Sequence, residues 1–133
     1  MRYDILTNFE LERRPNGTIV HLAPEVDVLN FQEVLEHLVD VIQKEQPARL
    51  LINVEYIRYL QSAALGRVAT LASRLQAQGG RLQMCGLIPE LEELITRSKL
   101  DRLIDLHATV HSACDSWPPA AATEAAPGDE LTL

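Results

Sequence analysis

Apolar positions along the chain change their period several times, and each change marks the edge of an element. FELERR (9–14) and TIVHLA (18–23) carry alternating or β-branched apolar residues on either side of Pro15-Asn16-Gly17, a turn signal, and predict a hairpin. In NFQEVLEHLVDVIQKEQ (30–46), Phe31, Val34, Leu35, Leu38, Val41 and Ile42 recur at helical spacing, and Asn30 with Glu33 three residues on has the form of a capping box. Pro47 stops that helix. ARLLINVEYIRYL (48–60) then predicts a mostly buried strand, rich in Leu, Ile and Val over its first half. From Ala63 to Gln78, Leu65, Val68, Leu71, Ala72 and Leu75 fall on one helical face, and Gly79-Gly80 supplies a left-handed stop.

RLQMCGL (81–87) predicts a short buried strand, followed by a helix that starts at Pro89 and runs to about Ser98. Glu90, Glu92 and Glu93 lie in or beside its first turn, where acids complement the helix dipole. RLIDLHATV (102–110) predicts one more strand and HSACDSW (111–117) a short helix that Pro118-Pro119 forbids to continue. Residues 118–133 contain Pro, Ala, Thr and acids with no Lys or Arg, and are read as a tail unable to bury a core of its own. The order ββαβαβαβα predicts a single α/β domain over residues 1–117. Its sheet is mixed, mostly parallel with right-handed crossovers, and is packed with about four helices.

Composition narrows the functional class. The 133 residues are 47% hydrophobic and carry a formal net charge of -7 with a pI near 5.0. No basic stripe is present to displace counterions from a phosphate backbone, so the expected partner is protein and not nucleic acid. Neither a signal-peptide pattern nor an apolar run of membrane-spanning length occurs, which predicts a cytoplasmic protein without membrane insertion. Cys85 and Cys114 form no metal-type spacing and are too few for a disulfide framework.

In mixed sheets of this kind functional groups gather in loops at the carboxyl ends of strands. YLQSAALG (59–66) is such a loop, and its one hydroxyl, Ser62, is open to two compatible readings: the N-cap of the second helix, or a modification site. His107 and His111 with Cys114 and Asp115 could hold a metal only if a strand and a helix brought them onto one face, and no metal or other cofactor is expected. Cys85 lies in a buried strand, where cysteine acts as a small hydrophobe. No triad, phosphate-cradling loop or nucleotide fingerprint is present, so the sequence predicts a binding protein and not an enzyme.

The stretch INVEYIRYLQSAALGRVATLASRLQAQGGRLQMCGLIPELEELITRSKLDRLI (52–104) resembles the STAS domain, the fold of bacterial anti-sigma factor antagonists. The signature of that family follows a strand as Asp-Ser-Ser/Thr-Gly-Leu-Gly and opens a helix that ends near Gly-Gly. PEVDVLNFQEVL (24–35) is similar to the family's Gly-Glu-Leu-Asp segment and first helix, and IPELEELITRSKL (88–100) to its Ser-Pro helix with a closing Ser-Gly-Leu; about residues 10–117 are covered. The resemblance implies partner switching. The unphosphorylated antagonist binds an anti-sigma factor that is a serine kinase, phosphorylation of the first signature serine breaks the complex, and a serine phosphatase restores it. Carried over by position, that serine is Ser62, and the implied contact residues are Gln61, Ser62, Ala63, Ala64 and Leu65 together with Glu25 and Asp27. Gln61 stands where the family has Asp, Ala63 and Ala64 replace Ser/Thr and Gly, and Pro24 and Lys99 each replace Gly. These departures leave room for a second reading, a STAS scaffold subunit of a signalling assembly or lipid-transport complex that is never phosphorylated. Self-association is compatible with either.

Overall fold

The computed structural model describes residues 9–24, 26 and 28–117. The hairpin forms as β1 (Phe9–Arg14) and β2 (Gly17–Leu22), antiparallel, with Arg14 opposite Gly17 across a turn of Pro15 and Asn16. After it come α1 (Val28–Glu45), β3 (Arg49–Asn53), α2 (Ser62–Ala77), β4 (Arg81–Cys85), α3 (Pro89–Arg97), the short 3-10 turn η1 (Leu100–Arg102), β5 (Ile104–His107) and α4 (Val110–Asp115). The five strands lie in the order β1-β2-β3-β4-β5, and every pair after the hairpin is parallel. Each new parallel strand is added on the same side, so right-handed crossovers put α1, α2 and α3 on one face.

Strand periodicity divides the core between the two faces. Val20, Leu22, Leu50, Ile52, Leu82, Met84 and Ile104 point toward α1–α3 and meet Phe31, Leu35, Leu38, Ile42, Val68, Leu71 and Leu75 in the main cluster. Ile19, Leu51 and Cys85 point the other way and, among the described residues, cluster with Ala113 and Trp117, with Val110 and Cys114 at the margin. Trp117 is 6% exposed, and its indole Nε1 donates to the Gln83 Oε1 at 2.6 Å. Gln83 in turn donates to Asp105, which also accepts from Arg81 at 2.9 Å. Burial alone would raise the Asp105 carboxyl, but hydrogen bonds from Arg81 and Gln83 hold it below the usual value.

Several boundaries differ from the expectation. The first helix starts at Val28, so Asn30 lies inside its first turn and the Asn30/Glu33 pattern does not open it. A capping box does form at α4, where Thr109 accepts from the Ser112 N–H at 3.0 Å and the Ser112 hydroxyl oxygen accepts from the Thr109 N–H at 3.0 Å. The third strand ends at Asn53 instead of Leu60, because burial beyond it recurs every three residues and not every two. The last strand has four residues, with Leu100–Arg102 wound into η1 before it. The expected stop after α2 is a Schellman motif: the Gly80 N–H donates to the Leu75 carbonyl at 2.8 Å, the Gly79 N–H to the Gln76 carbonyl at 3.0 Å, and Gly79 has φ +86°. The segment 118–133, expected as a tail, lies outside the described residues, and no described helix is long and apolar enough to cross a membrane.

Two tests follow from packing and backbone. A Cβ placed on Gly17 meets the Trp117 ring at 2.7 Å and the Arg49 Cβ at 3.2 Å, so this glycine makes room for the indole. Gly17→Ala is expected to lower stability by about 1–3 kcal/mol, measured by denaturant titration, through overpacking in a site with no slack. Lys99 occupies the left-handed region at φ +63°. Lys99→Gly removes the strain of that conformation and is expected to raise stability by about 1 kcal/mol in the same assay.

Candidate functional site

Beyond Asn53 the chain leaves the sheet and crosses the carboxyl end of β3 to reach α2. Val54, Ile57 and Leu60 are 1%, 2% and 5% exposed and pin this loop to the main core at every third residue. The Val54 N–H donates to the Cys85 carbonyl at 2.9 Å, the Ile57 N–H to the Val54 carbonyl at 2.9 Å, and the Glu55 N–H to the Asn53 side chain at 3.2 Å. The residues between the anchors, Glu55, Tyr56, Arg58 and Tyr59, are exposed. Beneath the loop the Cys85 thiol is pushed up to about 12 by burial, with Glu55 and Cys114 adding to the shift, so it stays protonated at neutral pH and is no nucleophile.

The loop delivers Gln61 and Ser62 to the start of α2. Gln61, not Ser62, is the N-cap, at φ −78° and ψ 160°, and no side chain caps the helix. The N-cap reading of Ser62 is thereby corrected: the chain turns helical one residue earlier than the apolar pattern from Ala63 implies, and Ser62 becomes the first helical residue. Its side chain is exposed, and its hydroxyl has no hydrogen-bond partner among the described residues. The Gln61 amide instead reaches sideways, accepting from Gln32 Nε2 of α1 at 3.1 Å. One turn further along, Arg67 pairs with Glu36 of α1 at 2.7 Å, so two polar links cross the α1–α2 seam. The first turn of α2 carries no acidic residue, so among the described residues no side chain caps the N–H groups at the positive end of its dipole, where Ser62 stands.

The structure brings Gln61, Ser62 and Ala63 together on the surface and separates the next two. Ala64 is 0% exposed and packs inside the core, so its methyl is out of reach of any partner. It shares a helical face with Val68, Leu71 and Leu75. Leu65 is half-buried against the same cluster. Glu25 and Asp27 lie outside the described residues. The surface residues that sequence reasoning missed are Tyr56 and Tyr59, 48% and 60% exposed, whose alternation with buried anchors becomes readable only once the strand is seen to end at Asn53.

The remaining candidates lie elsewhere. His107 sits on β5 with its Nε2 buried and unpartnered among the described residues, while His111 on α4 is exposed beside Asp115 at 3.3 Å. No three metal-ligating side chains converge among the described residues. An open cleft of about 710 Å³ along β5, lined by Arg49, Arg81, Gln83, Asp105 and His107 among others, does not include Ser62. An acid at the N-cap would do what the Gln61 amide does not. Gln61→Asp is therefore expected to raise stability by about 0.5–1 kcal/mol, read from urea unfolding, by accepting first-turn N–H groups and opposing the dipole.

Comparison with known proteins places this geometry. The family model described as the STAS domain matches residues 8–113. The anti-sigma-B factor antagonist of Bacillus subtilis (strain 168) is 30% identical over 101 residues, which span 76% of this chain and 91% of that one. Among solved structures, an anti-sigma-factor antagonist (STAS) domain protein from Planctomyces limnophilus superposes with a TM-score of 0.68 at 15% identity, covering 79% of this chain and 93% of the other. The Bacillus cell fate determinant SpoIIAA in its phosphorylated form gives 0.63 at 21% identity, covering 80% and 96%.

Proposed function

The chain belongs to the STAS domain family, and on that footing we propose that it is an anti-sigma factor antagonist, a regulatory binding protein and not an enzyme. In this reading it docks on an anti-sigma factor serine kinase through the surface around Gln61, Ser62 and Ala63, and phosphorylation of Ser62 breaks the complex. A serine phosphatase restores the binding form. Glu25 and Asp27 extend the contact surface, the working compartment is the cytoplasm, and residues 1–117 act as the STAS unit with 118–133 appended to it.

The observation that carries the reading is the state of Ser62: an exposed hydroxyl without a partner among the described residues, at the first helical position of an uncapped helix whose first turn holds no acid. Such a position accepts a phosphate without cost to the fold, since free N–H groups and the dipole favour negative charge there. The same group is badly tolerated in a docked interface, where about two negative charges replace a small desolvated hydroxyl. That a structural relative has been solved in phosphorylated form supports the reading. The net charge of -7 supports a protein partner over nucleic acid.

The test joins mass spectrometry to binding. Peptide mapping of protein recovered from its native cells is expected to find phosphate on Ser62. In calorimetric titrations against the serine-kinase anti-sigma factors of the source organism, Ser62→Ala is expected to bind as the unmodified chain does. Ser62→Asp is expected to bind about tenfold more weakly or worse while keeping its melting temperature. Unmodified Ser62 under every growth condition, with equal binding by all three forms, replaces the switch with a constitutive scaffold, the reading favoured by an amide at Gln61 where the family carries a carboxylate.

A further inference from the structure

Five glycines lie in the described residues, and four of them have a reason inside the chain. Gly17 clears the Trp117 ring, Gly79 and Gly86 have φ of +86° and +79°, and a Cβ on Gly80 would stand 2.7 Å from the Pro47 carbonyl oxygen. Gly66 has none of these. It sits inside α2 with no positive φ, and a Cβ built on it meets nothing within 4 Å. Glycine within a helix is unfavourable relative to alanine because its unfolded backbone is freer. Nothing among the described residues compensates for that loss, whereas a second molecule lying against the helix would.

Gly66 is one turn beyond Ser62, four residues on, and so shares its side of α2. The loop that leads directly into Gln61 and Ser62 carries Tyr56 and Tyr59, the two exposed large hydrophobic side chains among the described residues. Arg58, between them, is exposed and has no ion-pair partner among the described residues. Tyrosine and arginine are the side chains most enriched where binding energy concentrates. Here the buried anchors Val54, Ile57 and Leu60 hold the loop in place before any partner arrives, which lowers the ordering cost of association.

We propose that Gly66 is kept for close approach: a partner protein lays a backbone segment against α2 at Gly66, seats Tyr59 in an apolar recess and sets an acidic side chain opposite Arg58. This rests on the docking reading above and names the chemistry of the partner surface. It also makes a prediction of opposite signs. Gly66→Ala removes the helix penalty and is expected to raise the melting temperature by about 2–5 °C. The same variant is expected to weaken binding to the serine-kinase anti-sigma factor of the source organism about tenfold, because the new methyl occupies the space into which the partner backbone fits. Tyr59→Ala is expected to weaken binding by a similar factor with an unchanged melting temperature.

Calorimetric titration with Ser62→Asp run in parallel separates the two levels. If Gly66→Ala and Tyr59→Ala bind as the unmodified chain does while Ser62→Asp binds weakly, the close-approach proposal is wrong and the docking reading stands. If none of the organism's serine-kinase anti-sigma factors binds the unmodified chain, both fall together. Sedimentation of the chain alone decides the occupant: self-association abolished by Gly66→Ala puts a second copy, and not a kinase, against α2 and overturns the assignment.

Discussion

The structure turns on a change of period at Asn53. Up to that residue β3 buries alternate side chains on opposite faces of the sheet; after it, Val54, Ile57 and Leu60 enter one core at intervals of three. Burial of three such side chains is worth about 1.5–3 kcal/mol each, enough to hold a loop that has few backbone hydrogen bonds of its own. The loop cannot shift without drawing an anchor into water. Ser62 therefore stands at a defined point above the carboxyl end of β3, and the intervening residues are turned outward because their neighbours are turned in.

The two faces of the sheet are held by different physics. Three helices cover one face with a continuous apolar cluster. The other face relies on a six-residue helix, one indole and a chain of polar contacts running from Trp117 through Gln83 and Asp105 to Arg81. On the hairpin side of that face, His21 and Glu12 pair at 2.8 Å and Arg14 joins them at 2.6 Å, so the Glu12 carboxyl is held below its usual value by hydrogen bonds from His21 and Arg14. Burial leaves Cys85 inert in the middle.

Much of this was readable in the chain because its signals are local. The Pro-Asn-Gly turn, the helical spacing of Phe31 to Ile42 and the Gly79-Gly80 stop each depend on a few neighbouring residues, and each is found where its chemistry predicts. The end of β3 was not readable, since a run rich in Ile, Val, Leu and Tyr satisfies a strand as well as an anchored loop until the partners of its side chains are known. Ala64 shows how a helix phase can mislead: Leu65 draws attention as the larger residue, yet the buried face runs through Ala64, Val68, Leu71 and Leu75. The fit of Gly17 under Trp117 joins positions 100 residues apart, and no short-range pattern encodes it.

Trp117 is the only tryptophan in the chain, and it lies over Gly17 and Arg49, at the amino ends of β2 and β3. Ser62 lies past the carboxyl end of β3, on the side of the sheet that carries α1 and α2. The molecule thus has its optical reporter and its surface serine at opposite ends and on opposite faces. Indole emission reports on the face of the sheet that Trp117 covers, whereas two of the chain's three tyrosine rings stand in the loop that leads to the serine. Excitation at the red edge of aromatic absorption selects the single indole, and so follows the folding of that face with no label added.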